Sequence, residues 1–276
     1  MMDLSGKVAI VTGSGRARGL GEGILETLSQ CGCDVVVSDI GEAKPGLSSD
    51  NIGATEEMES IAQQLRDQGT NAIAVPCDVR QESEVQNLIA KTVEHFGQLD
   101  ILVNNAGVGY VMTPMDELSL EQWQLVIDVN LTGAFLCSKY AARQMTSQGK
   151  GGRIVNIASQ AAKSGFPHMA SYIASKHGLV GLTRSNAVEL GKSGITINAV
   201  CPNHVTTGLG EKQNEYFSKF KGMTVDEYLA DMANRIPVGR PGLPSDTAAI
   251  VAFLCSDEAV FITGEAWNVS GGEEMH

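Results

Sequence analysis

The segment Ser171-Tyr172-Ile173-Ala174-Ser175-Lys176-His177-Gly178 places a phenol four residues ahead of an ammonium, in a run with few helix breakers. On a helix, side chains at i and i+4 stand next to each other, so Lys176 can lie beside Tyr172. A phenol with a pKa of about 10 is a poor base at neutral pH, and a nearby cation favours its ionised form. The pair therefore suits proton transfer. Taken alone, the same spacing also describes an ordinary amphipathic contact. Two features around it argue for chemistry. Ser159 stands thirteen residues before the tyrosine, at the end of an apolar run, and a glycine-rich string occupies the other end of the chain.

That string, Val11-Thr12-Gly13-Ser14-Gly15-Arg16-Ala17-Arg18-Gly19-Leu20-Gly21, follows a short apolar run and opens a helical pattern. Glycines also close ordinary turns, but a strand-to-helix turn of this kind brings backbone N–H groups to a phosphate at the helix N-terminus. After the next apolar run comes Asp39, in the register where a carboxylate can accept hydrogen bonds from the hydroxyls of an adenosine ribose. A carboxylate there repels a 2′-phosphate, which favours NAD over NADP. Arg16 and Arg18 argue the other way, because either could pair with that phosphate. Asp39 carries more weight, since neither Ile40 nor Gly41 beside it is basic. Its alternative role is a helix cap or turn residue.

The elements that must position these residues alternate regularly. Near-continuous apolar runs at 7–13, 34–40, 72–79, 99–107, 152–159 and 195–202 read as strands covered on both faces. Helical patterns fall between them at about 20–31, 55–68, 81–96, 119–148 and 170–191. Strand and helix in alternation imply a single-domain α/β fold over residues 1–276, a doubly wound parallel sheet with helices on both faces. Residues 43–54 break the rhythm and read as an exposed loop. Residues 208–256 read as helices and loops, and 264–272 supply a last strand.

Bulk properties narrow the partners. The chain has 276 residues, 43% hydrophobic and 5% aromatic, enough to bury a substantial core. A formal charge of −12 and a pI near 4.8 argue against nucleic-acid or anionic-membrane surfaces and leave a small-molecule substrate. The N-terminus carries an acid where an export signal would be basic, and no run is long enough to span a bilayer. Six scattered cysteines, most of them in apolar runs, read as reduced and the protein as cytoplasmic. Cys31-Gly32-Cys33 gives poor geometry for a metal or redox site, so no metal is expected.

Taken together, these motifs resemble the short-chain dehydrogenase/reductase family over nearly the whole chain. Thr12-Gly13, Gly19 and Gly21 match its glycine loop, and Asn104-Asn105-Ala106-Gly107 its Asn-Asn-Ala-Gly signature. Ser159, Tyr172 and Lys176 fall on its catalytic residues, and Asn130 on its active-site asparagine. The resemblance implies a Rossmann-type sheet, NAD as cofactor and a homo-oligomer, a tetramer or dimer. It implies that Tyr172 exchanges a proton with the substrate oxygen while Ser159 hydrogen-bonds that oxygen. By the same resemblance Lys176 is implied to bind the nicotinamide ribose and lower the tyrosine pKa, and Asn130 to hold a water that links the lysine to solvent. The implied cofactor contacts are Gly13, Arg18, Gly19, Leu20, Gly21, Asp39, Asp78, Val79, Asn105, Ala106, Gly107, Tyr172, Lys176, Pro202, Val205 and Thr207. Structural alternatives stand beside some of these: Asp78 as a helix cap, Asn104 as a sheet-stabilising side chain, Asn130 as a polar kink in a long helix.

Two departures from the family pattern matter. Five residues rather than three separate Gly13 from Gly19, so the phosphate loop is two residues longer, and the inserted Arg16 points outward or toward the ligand. Asn203 follows Pro202 where the family commonly has glycine; asparagine tolerates positive φ, so the turn can survive.

For the substrate, Ser159, Gln160, His168, Tyr172 and His204 are the expected contacts, with Tyr110, Met112, Ala161 and Met169 nearby. His168 and His204 read equally as substrate contacts or surface histidines. Segment 208–237, with Tyr216, Phe217 and Phe220, resembles the family's substrate lid; the alternative is a helical arm packed on a neighbouring subunit. The pocket suits a small polyol, sugar or hydroxyketone. The competing functions are an NADPH-dependent ketone, steroid or acyl-thioester reductase, and a dinucleotide-binding sensor without turnover.

Overall fold

The computed structural model describes residues 2–44, 46–47 and 52–275. Of the loop expected at 43–54, positions 45 and 48–51 lie outside the described residues.

The apolar runs form seven parallel strands: Val8–Thr12 (β1), Asp34–Ser38 (β2), Ala72–Ala74 (β3), Ile101–Asn104 (β4), Gly152–Ile157 (β5), Ile195–Pro202 (β6) and Ala266–Val269 (β7). They lie side by side in the order β3-β2-β1-β4-β5-β6-β7. The order reverses between β1 and β4, and the chains leaving those two strands diverge to opposite faces. That divergence opens a crevice at their carboxyl ends.

Both faces of the sheet are covered, which is why the strands read as unbroken apolar runs rather than alternating ones. Side chains along β1 nonetheless alternate in direction. Ala9 and Val11 pack against Leu20–Gln30 (α1), Thr55–Asp67 (α2) and Pro244–Cys255 (α9), through Ile24, Leu28, Met58, Leu65 and Val251. Ile10 faces the other side, toward Glu82–Phe96 (α3), Leu120–Ile127 (α4) and Ala134–Gln148 (α5), through Leu88, Val126 and Met145. Side chains such as Ile10, Leu28 and Leu88 are fully buried, each contributing about 1.5–3 kcal/mol of apolar stabilisation. Ala170–Leu190 (α6) packs Leu179 and Val180 against Ala199 and Cys201 of β6.

The helix expected as one span over 119–148 is interrupted by a π-turn at Asp128–Gly133, between α4 and α5. Two local contacts accompany it. Gly133 lies so close to Val79 that a Cβ would stand 2.6 Å from its Cγ2, and the buried Asn130 is drawn toward Val108. Past β6, Gly208–Phe220 (α7) and Val225–Arg235 (α8) form a small helical pair above the crevice. Its apolar contents are Phe217, Tyr228, Met232 and Ile236. Thr224 and Glu227 close a capping box that starts α8. Among the described residues no helix is long and apolar enough to cross a membrane.

Candidate active site

The glycine string is held where β1 ends. The Thr12 hydroxyl accepts from the backbone N–H of Asn105 and of Ala106, both at 3.1 Å. The Asn105 amide donates back to the carbonyls of Thr12 (2.9 Å) and Gly13 (2.8 Å). These bonds tie the ends of β1 and β4 together, closely enough that a Cβ on Gly13 would lie 2.6 Å from the Ala106 Cα. Gly13 also has φ of +65°, so glycine is required there twice over. Gly21 packs its Cα against the Gly13 carbonyl, where a Cβ would lie 2.5 Å away, and this seats the first turn of α1 on the loop. The opening N–H groups of that helix are the orphan donors that an anion can satisfy.

Asp39, one residue beyond β2, is committed more heavily than expected. Its carboxylate accepts from Gly15 N–H (3.1 Å), Ile40 N–H (2.9 Å) and Gly53 N–H (3.0 Å). It is thus both a wall of the crevice and a staple between the glycine loop and the segment after β2. Burial pushes its pKa above the usual carboxylate value, and the three N–H donors partly offset that. Asp78 also reaches the crevice, but its carboxylate is taken by Arg80, with bonds of 2.9 Å from Nε and 2.7 Å from Nη2.

Ser159 follows β5, and α6 carries Tyr172 and Lys176 on one face. The Ser159 hydroxyl lies near enough to Tyr172 to lower its pKa, and the serine Oγ accepts from Ala161 N–H at 3.1 Å. Lys176 is 4% exposed; its Nζ donates to the Ile157 carbonyl at 2.7 Å and lies 5.6 Å from the centroid of the Tyr172 ring. Burial depresses the lysine to about 8. Burial also raises the Tyr172 pKa, and what lowers it in part is the Ser159 hydroxyl rather than the lysine. The expected lowering of the phenol by its neighbouring cation is therefore corrected in this structure. Desolvation dominates, and the ammonium, bonded to a carbonyl, is not among the groups that lower the phenol.

Asn130 is buried outside the crevice wall. Its Oδ1 accepts from Val108 N–H (2.7 Å), and its Nδ2 donates to the Val108 carbonyl (2.9 Å) and the Ser175 hydroxyl (3.1 Å). It nevertheless adjoins the lysine: a Cβ on Gly107 would lie 3.5 Å from Asn130 Oδ1 and 3.7 Å from Lys176 Nζ.

One continuous cavity of about 370 Å³ joins the glycine loop, Asp39, Asp78, Val79, Asn105, Gly107, Ser159, Tyr172 and Lys176 to Gln160, Pro202, His204, Val205 and Thr207. Three expected contacts lie off its wall. Ala106 is packed beneath Thr12 and Gly13. Arg18 adopts φ of +58° and is exposed, with its backbone N–H on Glu22. His168 adopts φ of +61° and turns its ring to the Tyr216 hydroxyl (Nδ1 to O, 2.8 Å) and the edge of Phe220. His168 thereby fastens α7, and it is absent from the cavity wall. A second tie comes from Gln213, whose Nε2 donates to the Gly109 carbonyl (2.9 Å), next to the Tyr172 ring.

Sequence reasoning missed Leu47 and Ile52, which wall the end near Asp39, and Glu273, which reaches the substrate end beside Asn203 and Arg235. Two apolar residues in an otherwise polar loop were a signal for the first pair. Nothing local marked Glu273, which comes from the far end of the chain. His204 is largely buried, which lowers its pKa, and its Nε2 finds no partner among the described residues.

A family model described as enoyl-(acyl carrier protein) reductase matches residues 13–274. A short-chain dehydrogenase/reductase of Armillaria gallica is 38% identical over 97% of this chain and 95% of its own. A 3-oxoacyl-[acyl-carrier-protein] reductase of Synechocystis is 39% identical over the full length of both. Among solved structures, a variant of actinorhodin polyketide ketoreductase with NADPH superposes with a TM-score of 0.88, at 37% identity and 98% coverage of each chain.

Proposed function

The chain belongs to the short-chain dehydrogenase/reductase family, and on that premise we propose that it transfers a hydride between NAD(H) and a secondary alcohol or its ketone. The observation that carries this reading is the sharing of one cavity by Ser159, Tyr172 and Lys176 with the glycine loop and Asp39. A dinucleotide fits these residues. Gly13 and Gly21 leave bare backbone where any Cβ would clash, and α1 opens toward the space with unsatisfied N–H donors. Asp39 stands where it can take ribose hydroxyls and repel a 2′-phosphate, which favours NAD. When bound, the nicotinamide supplies the hydride acceptor or donor.

The protein's own part is orientation and proton transfer. Tyr172 gives its hydroxyl proton to the substrate oxygen, or takes one from it, while Ser159 holds both the phenol and that oxygen by hydrogen bonds. Lys176 contacts the nicotinamide ribose and passes the proton onward, and Asn130 holds a water on the route to solvent. At the substrate end, Gln160, Asn203, His204 and Gln213 alternate with Met169, Phe217 and Met232, which supports a small polyol, sugar or hydroxyketone. Residues 208–237, as α7 and α8, serve as the lid. We further propose a cytoplasmic homo-oligomer, a tetramer or dimer. The supports are six buried, unpaired cysteines and the exposed aromatic rings of Phe135 and Phe261.

A second reading, an NADPH-dependent ketone or acyl-thioester reductase, is favoured by the similar reductase of Synechocystis and the ketoreductase with NADPH. Absorbance of the reduced nicotinamide, followed with NAD and with NADP against a panel of secondary alcohols and ketones, decides between them. Turnover with NADP alone selects the second reading, and tight cofactor binding with no turnover selects a sensor. Tyr172→Phe should lower kcat by about 10²–10⁴-fold while cofactor affinity stays nearly unchanged, because only the exchangeable proton is lost. Retained turnover would overturn the assignment of Tyr172.

A further inference from the structure

We infer that Arg16, within the lengthened glycine loop, grips the pyrophosphate of the dinucleotide, a role the loop's own backbone has largely given up; this rests on the dinucleotide reading above. The inference starts from where the loop's N–H groups go. Ser14 N–H bonds the Ser38 carbonyl (3.0 Å), and Gly19 N–H bonds the Arg16 carbonyl (3.1 Å). The three amides of Gly15, Ala17 and Arg18 each donate to a carboxylate: Asp39 (3.1 Å), Glu57 (2.8 Å) and Glu22 (2.5 Å). Donors that would otherwise point at a phosphate are spent on acidic side chains. Those acids also make the surroundings of the loop hostile to an anion.

Only the amides that open α1 are left free, so a cation in the loop has a part to play beside them, and the two arginines of the loop are not equivalent. Arg18 is exposed and off the cavity wall, whereas Arg16 is half-buried and lines the cavity. Its Nη2 lies 3.4 Å from where a Cβ on Gly208 would stand. The guanidinium therefore spans the crevice from the β1–α1 turn to the first residue of α7. Among the described residues it enters no salt bridge. Asp39 feels its charge without pairing with it.

What surrounds the guanidinium selects the ligand chemistry. The N-terminus of α1, opened by Gly19, stands on one side, and that of α7, capped by Thr207, on the other. Both line the same cavity, and both present the positive end of a helix dipole. A planar fork with several donors between two such termini matches a diphosphate, which carries charge and acceptor oxygens on both sides.

The test measures affinities of the full-length protein and its Arg16→Gln and Arg16→Lys variants for NAD, NADP, ADP and adenosine, by calorimetry. Arg16→Gln should weaken NAD, NADP and ADP together by about 10- to 100-fold, the loss expected for a hydrogen-bonded charged contact. Adenosine affinity should stay within about twofold, Arg16→Lys should recover part of the loss, and kcat at saturating NAD should change far less than KM. Thermal unfolding of both variants should match the native protein, which separates a lost contact from a damaged fold. Unchanged ADP affinity overturns the inference, and so does a loss confined to NADP, which would place Arg16 on the 2′-phosphate. If the native protein binds neither dinucleotide, the underlying functional reading falls first and takes this one with it.

Discussion

Lys176 is a buried cation, and replacing it should show directly what its burial costs the fold. Its ammonium sits in an interior site that lowers its pKa from 10.5 to about 8, with one carbonyl, that of Ile157, as its hydrogen-bond partner. A shift of that size is a preference of about 3 kcal/mol for the neutral form. The unfolded chain carries the lysine at its ordinary value and binds its proton more tightly than the folded one. The penalty is therefore complete below about pH 8, shrinks between pH 8 and 10.5, and is absent above. Lys176→Met keeps the length and apolar stem of the side chain and removes the charge. The lost bond to the Ile157 carbonyl gives back about 1 kcal/mol. The variant should thus be more stable than the native protein by about 2 kcal/mol at pH 7. Above pH 10.5 it should become less stable, by about the value of the lost hydrogen bond. Urea unfolding of the cofactor-free proteins across this range measures the difference, and titrations common to both cancel. Turnover should be lost in the stabilised variant, the exchange of stability for activity that catalytic groups impose. A difference that does not vary with pH, or a variant less stable at pH 7, would refute the account of Lys176 as a strained buried cation.

Asp39→Asn exchanges one acceptor oxygen for a donor and leaves at least one of the Gly15, Ile40 and Gly53 amides without its partner, at roughly 1–3 kcal/mol. The expected result is weaker binding of both NAD and NADP in titrations, not a clean switch between them; NADP binding as tight as the native affinity for NAD would contradict the staple. Gly53→Ala should damage the same junction from the other side, since a Cβ there would lie 2.5 Å from the Gly15 carbonyl carbon. A loss of about 1–3 kcal/mol in unfolding free energy and a higher KM for cofactor are expected, with Gly165→Ala, which meets nothing within 4 Å, as the neutral control.

Much of this architecture was legible because burial and period leave marks in a linear chain. Strands covered on both faces must be apolar throughout, and the i, i+4 relation of Tyr172 and Lys176 survives any tertiary context. Two of the expected contacts that lie off the cavity wall share a different cause. Arg18 and His168 both sit at positive φ, where backbone direction, not residue type, decides which way a side chain leaves the chain. Arg18 goes to solvent and leaves the cavity to Arg16, and His168 goes to Tyr216. Residue spacing gave Arg16 and Arg18 the same standing, because a loop has no period from which to read a face.

The sign of the Tyr172 shift was hidden for a related reason. Adjacency on a helix gives the distance between two groups but not the medium around them, and here desolvation sets the direction while the lysine is bonded to Ile157. A phenol held above its usual value stays protonated at neutral pH, which equips it to donate to a ketone oxygen. Removing a proton from an alcohol asks more of it. That direction depends on Ser159, the group that lowers the Tyr172 pKa in this structure, so loss of the serine hydroxyl should impair oxidation more than reduction. Rates of Ser159→Ala in both directions with one alcohol–ketone pair, each under single-turnover conditions, measure this asymmetry. Equal losses would mean that the serine acts on the substrate oxygen alone.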